Sequence, residues 1–312
     1  MAEVFSDRSE IHCQACGARG TVAAAPKKLE SYRSNVPWGQ CRACGAFVID
    51  VAAMPILSDK TKVSEFEYLE SRPWAKESSL STFKELQYAQ IVRLAEHYAP
   101  PPKCLLDIGC NYGGLLEAAK NIGYHVVGYD LLSDAVDRLR KKSIECYVAA
   151  TVAEFRDQCT VVRTTGYFDV VTCVDVNYYF ENQEQELRGM LNIVKDEGII
   201  IMRCRTMKWL VLLGSKISIL MPGIGVWLVA KALRDYQFAM SANELIKVIE
   251  RIGGQVVYSG PKGALPSKRS SVFVKAWFAL SSLVWEIIKI DISIGFIIVF
   301  KRSDDFLVPV ND

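Results

Sequence analysis

Histidine is scarce in this chain: 312 residues contain three. His12 sits beside a cysteine pair, His97 precedes a triple proline and His125 opens an apolar segment, so none holds an obvious catalytic-base position. A surplus of one charge sign is also lacking. With 37 Lys and Arg against 35 Asp and Glu, the formal net charge is +2, which excludes a strong global bias toward polyanions. Long apolar runs are missing too. The longest uncharged stretch of the most apolar segment, Ile217 to Ala230, has 14 residues and is interrupted by Pro222-Gly223, whereas a membrane span needs about 20. The N-terminus MAEVFSDRSE lacks the basic and apolar regions of a secretory signal. The expected location is therefore the cytoplasm, with at most a peripheral contact to the inner membrane.

Cysteine, in contrast, is patterned. Four of the ten cysteines form Cys13-Gln-Ala-Cys16-Gly and Cys41-Arg-Ala-Cys44-Gly, with 24 residues between the pairs. A Cys-x-x-Cys-Gly knuckle turns tightly enough to aim two thiolates at one metal ion, and two knuckles complete a tetrahedral site. Cys13, Cys16, Cys41 and Cys44 are thus expected to bind a structural zinc ion, because four thiolates leave no open position for chemistry. Two redox disulfides are the rival reading of the same spacing. A module spanning residues 1–50 has little core, so metal binding would supply much of its folding energy. Lys27, Lys28, Arg33 and Arg42 give it modest basic character without a dense stripe. That favours a packing or substrate-facing role over a grip on nucleic acid. The other six cysteines are scattered through expected strands and turns, as small buried hydrophobes usually are.

The most informative run is LLDIGCNYGGLLEAAKNIGYHVVGYDLL at 105–132. It reads as a strand ending in Asp107, a small-residue turn from Gly109 to Gly114, a helix, and a second parallel strand from His125 ending in Asp130. Gly109 and Gly113 allow backbone conformations and close approaches that a Cβ would block. Asn111 stands where glycine is common, and asparagine tolerates the left-handed region better than most residues. An acid after the second strand can accept both hydroxyls of a ribose. A dinucleotide would place its pyrophosphate on a helix N-terminus with no acid in the turn. Asp107 would repel phosphate but suits an ammonium. S-adenosylmethionine carries an ammonium, a sulfonium and a ribose, and has no phosphate.

On these residues the chain resembles the class I S-adenosylmethionine-dependent methyltransferases. Gly166-Tyr167-Phe168-Asp169-Val170-Val171-Thr172-Cys173 is similar to the family's fourth strand, and Lys195-Asp196-Glu197-Gly198 to the turn before its fifth, although the usual Lys-Pro-Gly-Gly form is lost. The resemblance implies an α/β fold: a Rossmann-like, mostly parallel seven-stranded sheet with helices on both faces, closed by an antiparallel final strand. It implies cofactor contacts from Asp107, Gly109, Cys110, Asn111 and Gly113 to the methionine end, from Asp130 to the ribose, and from Leu131 to the adenine. Thr151 to Glu154 would lie near the adenine edge. Cys173 and Val174 would sit below the transferred methyl group.

The expected organisation is a zinc ribbon at 1–50, a linker or cofactor lid at 51–80 containing Tyr68, and the methyltransferase domain at 81–312. A helix is expected over 81–98 with Ser81 as its cap, and another from the capping box Ser241-Ala242-Asn243-Glu244 to about Ile252. An apolar insertion at 207–233 departs from a minimal domain. It suits a membrane surface, an apolar acceptor pocket or a homodimer interface, or else simply buried helices.

Methyl transfer is an in-line displacement at an activated carbon, so the protein must chiefly hold donor and acceptor in line and exclude water. For a hydroxyl acceptor, Asp175, Tyr178 and Glu181 are candidate bases at the carboxyl edge of the sheet. The expected function is methylation of oxygen in a sugar, glycan precursor or other small amphipathic acceptor, as in bacterial polysaccharide-pathway methyltransferases of similar build. An RNA methyltransferase using the ribbon as a grip, and a non-catalytic cofactor-binding scaffold, are the alternatives.

Overall fold

The computed structural model describes residues 13–18, 22–24, 38–49, 77–159, 166–233, 238–261 and 272–304. Of the expected linker, residues 51–76 with Tyr68 lie outside the described residues, as do Lys27, Lys28 and Arg33 of the ribbon. The strands are β1 (Val22–Ala24), β2 (Trp38–Cys41), β3 (Phe47–Ile49), β4 (Cys104–Ile108), β5 (His125–Asp130), β6 (Glu145–Val148), β7 (Phe168–Val174), β8 (Val194–Cys204), β9 (Phe238–Ala239), β10 (Gly254–Gly260) and β11 (Phe296–Arg302). The helices are α1 (Glu77–Tyr98), α2 (Gly114–Asn121), α3 (Ser133–Lys141), α4 (Val152–Gln158), α5 (Gln183–Ile193), α6 (Lys208–Ile217), α7 (Pro222–Leu233), α8 (Ala242–Arg251) and α9 (Val272–Ile288).

Seven strands form the central sheet in the order β10-β11-β8-β7-β4-β5-β6. The five from β8 to β6 are parallel, and β11 runs antiparallel between β10 and β8. Sequence alternation explains why both faces are covered. Leu105, Val170 and Ile201 pack with Ile91, Leu115, Leu116 and Leu139 of α1, α2 and α3. Leu106, Val171 and Ile200 pack the opposite way, with Phe155, Leu187, Leu191 and Leu245 of α4, α5 and α8. A strand buried on both faces reads as a near-continuous apolar run, as these do. The strand order reverses between β4 and β7, so the crevice for a ligand opens at their carboxyl ends.

One helix boundary differs from the expectation. Helix α1 starts at Glu77, which leaves Ser81 inside the helix and not at its N-cap. At α8 the capping box is present as read: the Ser241 side chain accepts from the Glu244 amide while Glu244 reaches back to the Ser241 amide.

The cysteine knuckles build a small second sheet, β1-β2-β3-β9. Its fourth strand comes from the far side of the chain: Phe47 pairs with Ala239 and Val48 with Phe238. Hydrogen bonds also join the ribbon to α5, where the Gln183 amide donates to Gln14 O at 2.7 Å and Gln183 Nε2 to Ala15 O at 3.2 Å. The ribbon is thereby stitched into the larger domain. Among the described residues no helix is long and apolar enough to cross a membrane.

Candidate active site

The turn after β4 is shaped by left-handed backbone. Gly109, Asn111 and Gly113 have φ of 67°, 48° and 77°. A Cβ on Gly109 would also stand 2.5 Å from Val176 Cγ2, so a side chain there meets both strain and a clash. Asn111 adopts the conformation with its own Oδ1 accepting from the Tyr112 amide at 2.8 Å, a local bond that asparagine supplies in turns. The amides of Gly109 and Cys110 donate to Tyr129 O at 2.9 and 3.1 Å, which ties the turn to the end of β5.

Two acids face this turn. Asp130 accepts from the Asn111 amide at 2.7 Å through Oδ2 and from the Leu132 amide at 2.9 Å through Oδ1. Burial pushes its carboxyl up, and those backbone donors oppose the shift. Each oxygen keeps lone-pair capacity for a further donor. Asp107 is buried and accepts from Thr172 Oγ1 of β7 at 2.7 Å. Burial raises its carboxyl to about 7, with the Thr172 bond and Lys84 pulling the other way. A buried carboxyl in that state gains from a cation beside it, which fits the ammonium of an amino-acid moiety. Nothing in the turn offers a counter-charge for phosphate. Leu131 is 44 % exposed beside Asp130, open to a flat apolar group. Cys110 is buried, its sulfur 3.5 Å from that of Cys146. Cys173 and Val174 are buried at the end of β7. Thr151 caps α4 by accepting from the Glu154 amide.

The loop after β7 carries the three candidate bases, Asp175, Tyr178 and Glu181. Asp175, at φ 60°, binds the Arg203 guanidinium, accepts from Gln87 Nε2 at 3.1 Å and lies 3.9 Å from Lys84 Nζ. Burial alone would push its carboxyl up, but Arg203, then Lys84 and Gln87, hold it below the usual carboxylate range. Asp175, expected above as a candidate base, is thus held ionised within a cluster of cations. Tyr178 is buried in a short 3-10 turn, Asn177–Tyr179, with its ring edge-on to Tyr179 at 4.7 Å. Glu181 is exposed. Sequence reasoning missed Lys84, Gln87, Thr172 and Arg203. Of these, Arg203 carried a signal: an arginine within the apolar strand IIIMRC needs a buried anion.

At the ribbon, the sulfurs of Cys13, Cys16, Cys41 and Cys44 all lie within 4.8 Å of one another. The pairs Cys13–Cys44 and Cys16–Cys41 are each 3.8 Å apart. A tetrahedron with Zn–S bonds of about 2.3 Å requires sulfur pairs about 3.8 Å apart, whereas a disulfide needs about 2.05 Å. The thiol of Cys13 is pushed up by its hydrogen bond to Cys16, then by Cys44 and by burial, while that of Cys16 is pulled down by Cys13 and Cys44. The donor set fits a closed, structural zinc site.

A sequence profile described as "Methyltransferase domain" matches residues 82–251, which is 170 of the 312 residues. The chain belongs to this methyltransferase-domain family. The matched segment begins after the ribbon and covers every residue of the turn, both acids and the Asp175 cluster. Similar curated proteins include ubiquinone biosynthesis O-methyltransferases. The one from Paraburkholderia xenovorans (strain LB400) is 28% identical over 150 residues, or 48% of this chain and 59% of that protein. The one from Stutzerimonas stutzeri (strain A1501) is 26% identical over 140 residues, or 45% of this chain and 60% of that protein. The match to that of Burkholderia pseudomallei (strain 1710b) is longer, 24% identical over 206 residues, or 64% of this chain and 85% of that protein. This methyltransferase-domain chain therefore spans about three fifths of the first two relatives. Among solved structures, the plantazolicin methyltransferase BpumL in complex with a monoazolic desmethylPZN analog and SAH superposes with a TM-score of 0.50 at 12% identity, covering 80% of this chain and 94% of that one. At that identity the likeness concerns the fold.

Proposed function

We propose that the protein transfers the methyl group of S-adenosylmethionine to an oxygen of a small amphipathic acceptor, such as a sugar or glycan precursor. The observation that carries the reading is the pair of acids, Asp107 and Asp130, on adjacent parallel strands and on either side of a left-handed turn. One acid suits an ammonium, the other suits two ribose hydroxyls, and the turn has no place for phosphate. The family match supports methyl transfer, and the names of the relatives favour oxygen as the acceptor atom.

When bound, S-adenosylmethionine supplies a methyl group on a positively charged sulfur, a leaving group that needs no acid. The residues of the chain then have three tasks. Asp107 and the turn from Gly109 through Cys110, Asn111 and Gly113 hold the methionine end. Asp130 fixes the ribose, and Leu131 flanks the adenine. Cys173 and Val174, buried at the end of β7, would exclude water from the methyl-bearing end of the cofactor. The anionic Asp175, held by Arg203 and Lys84, fixes the loop that carries the buried Tyr178 and the exposed Glu181, and the proton lost by an acceptor hydroxyl would pass to Glu181. The four-cysteine zinc site contributes rigidity and takes no part in the displacement.

The test combines binding and transfer. Isothermal titration with S-adenosylmethionine should show binding to the wild type and at least a tenfold loss in Asp130→Ala with the thermal transition retained. Incubation with methyl-tritiated donor and an extract of a host lacking the gene should label the lipid or glycan fraction. Label in RNA would overturn the acceptor class, and unchanged affinity in Asp130→Ala would overturn the ribose assignment.

A further inference from the structure

The apolar insertion is only partly buried. Helices α6 and α7 form a tight hairpin whose backbones approach at two glycines: a Cβ on Gly214 would lie 2.8 Å from Gly225 O, and one on Gly225 would lie 2.6 Å from Ser218 Cα. Val211, Val229 and Leu233 fill the base of the hairpin. Its far end is the opposite. Ile219, Leu220, Met221, Ile224 and Trp227 all project into solvent, with Leu220 83 % exposed. Helix α9 presents a second apolar face. Phe273, Leu280, Leu283 and Ile287 recur seven, three and four residues apart, and all are exposed, with Phe273 at 86 %. The two elements meet where Trp209 of α6 stacks on Trp277 of α9 at 5.2 Å between ring centroids.

The charges around these faces are nearly all of one sign. Over 208–233 and 272–290 there are five lysines (Lys208, Lys216, Lys231, Lys275, Lys289) and one acid, Glu286. Lys208 is engaged with Glu244, but Lys216, Lys231, Lys275 and Lys289 are exposed. Lys231 Nζ lies 4.9 Å from the Trp227 ring centroid, an aromatic and a cation side by side on the hairpin. Apolar side chains bordered by lysine and tryptophan match the boundary between acyl chains and anionic headgroups. A second copy of the chain is a poorer occupant. A two-fold interface brings the same patch together twice, so the lysines of one copy would face those of the other with little acid to offset them. The helices have 10, 12 and 17 residues, which suits lying in a surface and not spanning a bilayer.

We propose that the α6–α7 tip and the exposed face of α9 dock on a bilayer surface bearing anionic lipids. Docking holds the transferase at the level where an amphipathic acceptor would present its polar end. The surface stands on its own observations and does not depend on the identity of the acceptor.

The experiment is co-sedimentation of the full chain with vesicles of phosphatidylcholine alone and of phosphatidylcholine with phosphatidylglycerol. Binding to the anionic vesicles should be at least tenfold stronger, should weaken in high salt, and should shift the tryptophan fluorescence to the blue. The double variant Leu220→Asp with Ile224→Asp, both on exposed positions, should lose at least tenfold in vesicle affinity while keeping the thermal transition and S-adenosylmethionine binding of the wild type. Lys216→Glu with Lys231→Glu should remove the preference for anionic vesicles. Equal binding to neutral vesicles, absence of binding by the wild type, or a dimer in sedimentation equilibrium that the Leu220/Ile224 variant dissolves would overturn the proposal. Cofactor binding, read separately, tells its failure apart from failure of the methyl-transfer reading.

Discussion

Gln183 is the residue through which the ribbon and the acceptor-side loop should report on each other. It is fully buried at the start of α5. Its Nε2 donates to Ala15 O at 3.2 Å, between Cys13 and Cys16, and its Oε1 accepts from Asn177 Nδ2 at 2.9 Å, in the turn that carries Tyr178. Gln183→Leu keeps the approximate volume and deletes both bonds, along with the weaker one from Nε2 to Met240 Sδ at 3.2 Å. The Ala15 carbonyl and the Asn177 amide would then be buried without those partners, at about 1–3 kcal/mol each. We expect a total loss of about 2–6 kcal/mol, read as a fall in the urea midpoint. The buried Cys13 and Cys16 sulfurs become accessible when the knuckle lifts from α5. A loss of about 2.8 kcal/mol at that joint corresponds to roughly a hundredfold change in the lifting equilibrium, so zinc should pass to a chromophoric chelator faster by up to that factor. A double-mutant cycle with Asn177→Ala isolates the pair and should give a coupling of about 0.5–3 kcal/mol. Strict additivity, or zinc release as slow in Gln183→Leu as in the wild type, would refute the connection.

Other predictions follow from the acids and the metal. Asp107 has a folded pKa raised by burial to about 7. Its ionised form is therefore disfavoured in the ligand-free fold, and the penalty grows as pH rises from the ordinary carboxylate range toward 7. An ammonium ligand needs that ionised form, so the dissociation constant for S-adenosylmethionine should rise about tenfold as pH falls from about 8 to about 6; titration at several pH values checks this, and a wild type as flat as Asp107→Asn would count against it. Asp107→Asn should also raise the Tm of the ligand-free protein at a pH of about 8. Asp175→Ala removes the carboxylate that Arg203 and Lys84 share in a largely buried cluster, and urea unfolding should register a loss of about 3–5 kcal/mol; a neutral effect would show that the cluster is solvated. Chelation of zinc under native conditions should make the four thiols of Cys13, Cys16, Cys41 and Cys44 newly reactive to a chromogenic disulfide reagent; fewer than four would contradict a single shared site.

The parts of the molecule that could be read from sequence are those where one residue type has a single physical use. Glycine and asparagine at 109, 111 and 113 announce left-handed backbone, and the structure has it at all three. Two Cys-x-x-Cys-Gly knuckles announce a shared cation, and the sulfurs converge at tetrahedral spacing. Doubly apolar segments such as Leu105-Leu106 and Val170-Val171 announce strands covered on both faces. Partnerships across long separations stayed hidden. Asp175 reads as a loop acid until Arg203, 28 residues on, and Lys84, 91 residues back, close around it. Nothing local distinguishes a carboxylate that takes a proton from one held ionised by two cations. Gln183 likewise reads as an ordinary helix-start residue, although its bond to Ala15 spans 168 positions.

The same long-range stitching bears on how the chain divides. A boundary at residue 50 follows the composition, because the cysteine pattern ends there and the alternation of strands and helices begins later. The ribbon sheet, however, takes its fourth strand from Phe238–Ala239, immediately before the Ser241 capping box of α8. At the same corner Lys208, which opens α6, binds Glu244, which completes that capping box, and its Nζ lies 5.9 Å from the ring centroid of Phe47 in β3. A short strand such as β3 gains little from its own three residues, so pairing with β9 and the buried contacts of Phe47 and Val48 supply much of what holds it. The edge that β3 would otherwise expose is covered in the same step. Removing residues 1–50 would therefore uncover β9, the start of α5 and the Lys208–Glu244 corner together. We expect such a truncated chain to lose solubility and the α6–α7 arrangement along with the ribbon. Recovery of a soluble, cofactor-binding 51–312 fragment, assayed by titration with S-adenosylmethionine, would show instead that the larger domain is complete without it.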